Sequence, residues 1–164
     1  MYILGNIVYN NKRSVCQKKM FGPHMTLDLY GCDKKKLGDK KFIVQLLDEL
    51  PSVIGMHKFA GPFVEYYENK ETFDSGGFSG FVLIAESHIS IHTFIEQKFA
   101  TVDIFSCKSF NQKKAIDFLT EKLNAKKIER NFIIRGKDFV KHYPKIVSKA
   151  KQIVENERIK FIKR

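Results

Sequence analysis

Two stretches, SGFVLIAESHISIHTF (Ser79 to Phe94) and FATVDIFSC (Phe99 to Cys107), carry strand-like apolar patterning and are separated by only four residues, IEQK. Alternation places every second side chain of a strand on one face. So short a connection leaves an antiparallel hairpin as its natural form. With Glu96 and Gln97 at the tip, residues whose numbers sum to 193 face one another, so Ser87 lies opposite Ser106 and His92 opposite Thr101. The register gathers a serine, a histidine and, beside Ser106, the thiol of Cys107 along one hairpin. Ser87 and His92 are an odd number of positions apart and would face opposite ways on a flat strand. Either the strand bends near Ser87, or the two act in different steps. From the pattern alone, a polar-faced strand with Cys107 buried as a small hydrophobe stands equally open.

The rest of the chain supplies a context for the hairpin. HMTLDLY (His24 to Tyr30) alternates as a strand, broken by GCD. DKKFIVQLLDEL places Ile43, Leu46, Leu47 and Leu50 at helical spacing, and Pro51 is expected to end that helix. SVIGMHKF and FVEYYE read as two strands, and NKETFDSGG as a loop. NQKKAIDFLTEKLNA reads as a helix and KIERNFIIRG as a last strand. A basic helix, KDFVKHYPKIVSKAKQIVENERIKFI, follows, with Ile146, Ala150, Ile153 and Ile159 as its apolar stripe. The order strand, helix, four strands, helix, strand, helix predicts an α+β two-layer sandwich: an antiparallel sheet with helices on one face. At 164 residues the chain reads as a single domain, 1–164.

Charge and cysteines narrow the class. The net charge of +11 divides into +4 over residues 1–20, −3 over 21–110 and +10 over 111–164. The body is mildly acidic between basic ends, which suits the cationic small-molecule substrate that the family resemblance given below implies. Basic tails with fifteen phenylalanines would also suit a sheet that holds RNA, so a binding module, or an inactive activator of a true enzyme, is the reading from another class. No apolar run reaches the roughly 20 residues a bilayer needs, so no membrane partner is expected. The N-terminal charges follow the apolar start, the reverse of a signal peptide. Three widely spaced cysteines, Cys16, Cys32 and Cys107, argue for a reducing, cytoplasmic compartment. No Cys or His pair has zinc-finger spacing, so no metal is expected.

At AESHISIHTF…FATVDIFSC the chain strongly resembles the prokaryotic S-adenosylmethionine decarboxylases, self-cleaving enzymes with a pyruvoyl group. The resemblance runs from about Phe21 to Gly136, with GPHMTLDLYGCD similar to the family's first strand and turn, and HKF similar to a short segment before its cleavage site. It implies cleavage between Glu86 and Ser87, giving a β chain of residues 1–86 and an α chain of 87–164. Ser87 would supply the pyruvoyl cofactor that forms the Schiff base with substrate, with neither metal nor pyridoxal phosphate. The resemblance further implies that His92 is the processing base, Ser79 supports processing, and Cys107 is the proton donor in decarboxylation. It also suggests a homodimer of processed pairs, with sheet edges or faces meeting.

The chemistry accounts for these residue types. In the scheme the resemblance implies, Ser87 Oγ attacks the Glu86 carbonyl, replacing the amide by an ester, and His92 then acts as base in the β-elimination that breaks it. The ketone left behind is an electron sink that ordinary side chains lack. A free thiol, with a pKa near ~8.5, holds its proton at neutral pH and can still give it up, which suits the donor role the resemblance implies for Cys107. Phe59 reads as a core residue or an adenine-stacking face, and Glu86 as an idle side chain or a carboxylate retained at the new C-terminus. His88 reads as a solvent-side strand residue, and Asp103 as a mid-strand acid paired with a nearby cation.

The chain departs from the family pattern in several places. AGPFVEYYENKETFDSGGF is inserted before the active strand, Ile95 stands where proline is usual, and Lys108 follows the cysteine in place of glycine. Residues 1–20 form a basic N-terminal extension, with Met20 a second possible start, and 137–164 a basic C-terminal helix. The insertion brings Phe63, Tyr66 and Tyr67 for stacking and Glu65, Glu68, Glu71 and Asp74 for charge. It therefore leaves arginine or ornithine, substrates of related enzymes, as alternatives to S-adenosylmethionine.

Overall fold

The structure is a computed structural model that describes residues 22–68 and 76–142. The tail stripe of Ile146, Ala150, Ile153 and Ile159, the first 20 residues, and Glu71 and Asp74 lie outside the described residues. Six strands form one antiparallel sheet: β1 Gly22–Tyr30, β2 Lys58–Tyr67, β3 Gly77–Ile84, β4 Ser87–Phe94, β5 Phe99–Ser106 and β6 Lys127–Arg135. Their order across the sheet is β2-β3-β4-β5-β1-β6. The helices are α1 Lys34–Leu37, α2 Lys40–Val53, α3 Gln112–Leu123 and α4 Lys137–His142. No helix among the described residues is long and apolar enough to cross a membrane.

Strand alternation makes the sheet one-sided. Met25, Leu27 and Leu29 of β1, Ile89 and Ile91 of β4, and Ala100, Val102 and Ile104 of β5 are all buried. They join Ile43, Leu46, Leu47 and Leu50 of α2 and Ala115, Leu119 and Leu123 of α3 in one core. Asp39 starts α2 by accepting from the N–H groups of Lys41 and Phe42, and Asn111 starts α3 by accepting from that of Lys114. This is the α+β sandwich that the patterning predicts, with α2 and α3 on one face.

Three local expectations are corrected. Pro51 does not end α2, which continues to Val53. So near the end of a helix, a proline leaves unpaired only the carbonyl its N–H would have met, and its burial, with Ile54 N–H bonding back to Leu50 O at 3.2 Å, carries the chain through. SVIGMHKF is not a strand: Ser52 and Val53 are helical and Gly55 turns the chain at φ +77°. A single strand β2 then runs from Lys58 through FVEYY, with register shifts around Ala60 and Phe63. Most important for function, the run from Ser79 to Phe94 is two strands. It folds back at Ala85–Glu86, so that Ile84 pairs with Ser87.

Candidate active site

The turn between β3 and β4 holds the bond that the sequence singles out. The predicted hairpin register is the observed one, with Ser87 opposite Ser106 and His92 opposite Thr101. This places Cys107, just past the end of β5, beside Glu86, whose carbonyl oxygen accepts the Cys107 backbone N–H at 2.8 Å. His57, in the connection from α2 to β2, grips the same turn three times. Its carbonyl accepts from Ala85 N–H at 2.8 Å, its own N–H donates to Glu86 Oε2 at 3.2 Å, and its ring Nδ1–H donates to Glu86 Oε1 at 2.9 Å. Lys108 Nζ stands 4.0 Å from Glu86 Oε1. Burial of the Glu86 side chain opposes its charge. The bonds from the His57 ring and backbone outweigh that penalty and hold the carboxyl below the usual carboxylate range.

Ser87 follows directly, at φ +150°. Residues with a Cβ rarely adopt that conformation, and holding one there costs on the order of 1–3 kcal/mol. β4 nevertheless pairs with both neighbours without a register shift from Ser87 onward, so the strand does not bend to bring Ser87 toward His92. The distortion turns the hydroxyl toward His88, and Oγ lies 3.2 Å from His88 Nδ1. The His88 ring stands on the open face, as the sequence reading has it, but is half-buried there, packing against Phe105 with ring centroids 5.6 Å apart.

His92 is elsewhere. It lies five residues along an extended strand from Ser87, roughly 16 Å at about 3.3 Å per residue. It is exposed on the sheet face opposite the helices, where its Nδ1 lies 2.9 Å from the Ser79 hydroxyl across the β3–β4 pair. The pair Ser79–His92 is therefore formed, and it borders an open depression of about 300 Å³ with Phe63, Glu65, Phe81 and Ser90. Phe63 and Phe81 stack there with centroids 5.2 Å apart, and Glu65 is ion-paired with Lys40 at 3.0 Å.

The remaining candidates sort as follows. Cys107 is an exposed thiol, which overturns its reading as a buried hydrophobe; that part belongs to Cys32, whose burial pushes its thiol up to about 11. Phe59 is 76% exposed and is no core residue. Asp103 meets the ring of His24, Nε2 to Oδ1 at 3.3 Å, as its mid-strand position suggests. The sequence reading gives no role at the turn to His57 and reads His88 only as a strand residue. The available signals were HKF for the first and direct adjacency to Ser87 for the second.

The site is thus a Glu-Ser turn of unusual backbone conformation beside an exposed thiol, on an open-faced antiparallel sheet. The S-adenosylmethionine decarboxylase family model matches residues 23–136. The chain is 36% identical over 120 residues to the S-adenosylmethionine decarboxylase proenzyme of Clostridium botulinum (strain Langeland), spanning 73% of this chain and 97% of that one. It is 40% identical over 116 residues to the proenzyme of Pyrobaculum arsenaticum, spanning 66% and 82%. The solved adenosylmethionine decarboxylase from Aquifex aeolicus is similar with a TM-score of 0.58 at 34% identity, covering 72% of this chain and 92% of that one. The chain belongs to the S-adenosylmethionine decarboxylase family.

The two described thiols differ in access and give a direct check on the site. In a Cys16→Ser background, a small maleimide is expected to label Cys107 rapidly and Cys32 only on unfolding, read by peptide mass mapping. Equal labelling of both in the folded protein would contradict the placement of Cys107.

Proposed function

We propose that the chain is a proenzyme that cleaves its own Glu86–Ser87 bond and then decarboxylates S-adenosylmethionine. The observation that carries this reading is the state of that bond: its carbonyl is held by the Cys107 N–H, and its serine sits at φ +150°. A backbone N–H on the scissile oxygen is an oxyanion donor for the tetrahedral adduct. Strain on the serine side favours the shift from amide to ester. His57 fixes Glu86, so the carbonyl keeps its aim, and it would keep the new C-terminal glutamate in place after cleavage.

These residues fit a pyruvoyl group made from Ser87. Such a group supplies a ketone that accepts the electron pair left as carbon dioxide departs. The exposed thiol of Cys107, attached to the very residue whose N–H reaches Glu86, is placed to return a proton to the substrate carbon. Membership of the family supports S-adenosylmethionine over arginine or ornithine. A thiol acid of this kind needs a reducing compartment, and we place the protein in the cytoplasm.

Within one chain His92 is too far from Ser87 to serve as its base. Both lie on β4, at opposite ends, and among the described residues α2 and α3 pack on the face away from His92. We propose that two copies meet through these open faces about a twofold axis passing near Ser90. An isologous contact of this kind lays each β4 antiparallel over its partner, at the roughly 10 Å spacing of stacked sheets. The Ser79–His92 pair of one copy then approaches Ser87 of the other, and the depression walled by Phe63 and Phe81 becomes part of a closed site suited to an adenine ring.

Two experiments test this. Carbon-dioxide release is expected from S-adenosylmethionine, with at most a trace from arginine or ornithine at equal concentration; Cys107→Ala should still cleave, at least in part, yet lose roughly 10²–10⁴-fold in turnover, as loss of a positioned acid does. Preference for an amino acid would overturn the substrate. Separately, co-expressing Ser87→Ala with His92→Ala chains should restore cleavage of the His92→Ala chain, since its Ser87 meets an intact His92 in the mixed dimer. Cleavage absent from the mixture and present in wild type would contradict the shared site.

A further inference from the structure

We propose that His88, and not His92, removes the proton from Ser87 in the attack that opens self-cleavage. This rests on the self-cleavage reading above and assigns the first of its two proton transfers. His88 Nδ1 is the side-chain nitrogen within hydrogen-bond distance of Ser87 Oγ, at 3.2 Å. As the Nε2–H tautomer it accepts the hydroxyl proton.

The ring is held for this task. On β3 its register partner is Leu83, which is not titratable. On β5 its partner is Phe105, whose ring also meets His24 of β1 at 5.7 Å between centroids and lies 4.2 Å under the Arg135 guanidinium of β6. Phe105 can seat here because residue 22 is glycine: a Cβ on Gly22 would come within 2.8 Å of the Phe105 ring. The charged and titratable groups around His88 are thus His24 with its partner Asp103 and the Arg135 cation, all reached through or beside Phe105. None of them hydrogen-bonds the His88 ring, which leaves Nδ1 to Ser87.

The step balances without a co-reactant. The Oγ proton passes to His88 Nδ1 as the Oγ–C bond to Glu86 forms, and the negative charge on the Glu86 oxygen meets the Cys107 N–H. The C–N bond then breaks, the electron pair goes to the Ser87 nitrogen, and His88 returns its proton there. The product is an ester with a free amine, isomeric with the starting peptide. The base for the later elimination remains His92 of the partner subunit, so the two histidines act on different bonds.

The test uses full-length chain made by cell-free synthesis and chased by intact mass, with hydroxylamine added to reveal ester. His88→Ala and His88→Gln are both made, because glutamine can still accept a hydrogen bond from Ser87 but cannot take its proton. Both should cleave about 10²–10⁴-fold more slowly than wild type, the usual worth of a positioned base. Neither should accumulate a hydroxylamine-sensitive ester, whereas His92→Ala should. Wild-type speed in His88→Gln, or ester accumulation in either variant, overturns the assignment while leaving self-cleavage standing. A wild-type chain that never cleaves overturns both.

Discussion

The 2.8 Å hydrogen bond from the Cys107 N–H to the Glu86 carbonyl joins everything the site needs. It exists because the β4–β5 hairpin closes in a register that sets Ser87 against Ser106, one residue from the thiol. The same bond serves twice. In the proposed reaction it would polarise the carbonyl that Ser87 attacks, and the residue that donates it would bring its thiol to the bond's edge for the later proton transfer. His57 ties the other side of the turn, so Glu86 is fixed from two directions while Ser87, between them, takes up the distortion.

The sheet's one-sidedness shapes the rest. Burying every second residue of β1, β4 and β5 under α2 and α3 leaves the other face with His88, Ser90 and His92 of β4 and the Phe63–Phe81 stack. A strand is a ruler, and five positions along β4 separate the nucleophile from the Ser79–His92 pair. On the proposed assignment the chain carries both halves of a processing site at opposite ends of β4, and the proposed twofold pairing of open faces would use both and cover the apolar surface between them.

Much of this was legible in the residues. The fold class and the hairpin register follow from alternation and from the four-residue turn, since period-2 patterning with a short connection admits few pairings. The fold-back at Ala85–Glu86 was hidden because neither residue is a turn former; no Gly, Pro, Asn or Asp marks it, and apolar patterning continues on either side. The turn is imposed by tertiary bonds from His57 and Cys107, which a local reading does not see. Pro51 misled for the converse reason: a strong local breaker was overruled by its place near the helix end and by burial. His88 stands on the outward face as read, but its contact with the Ser87 hydroxyl depends on the Ser87 φ, which no pattern shows. His92 is tied to Ser87 by resemblance alone, and the five strand positions between them already set the two apart.

The central claim is that the Glu86–Ser87 bond breaks itself. The intact mass of the purified protein tests it most directly. Two fragments, residues 1–86 and 87–164, with the second beginning in a ketone-bearing residue that blocks N-terminal sequencing, are the predicted result, and Ser87→Ala should remain whole. A single unbroken wild-type chain after prolonged incubation would contradict the account.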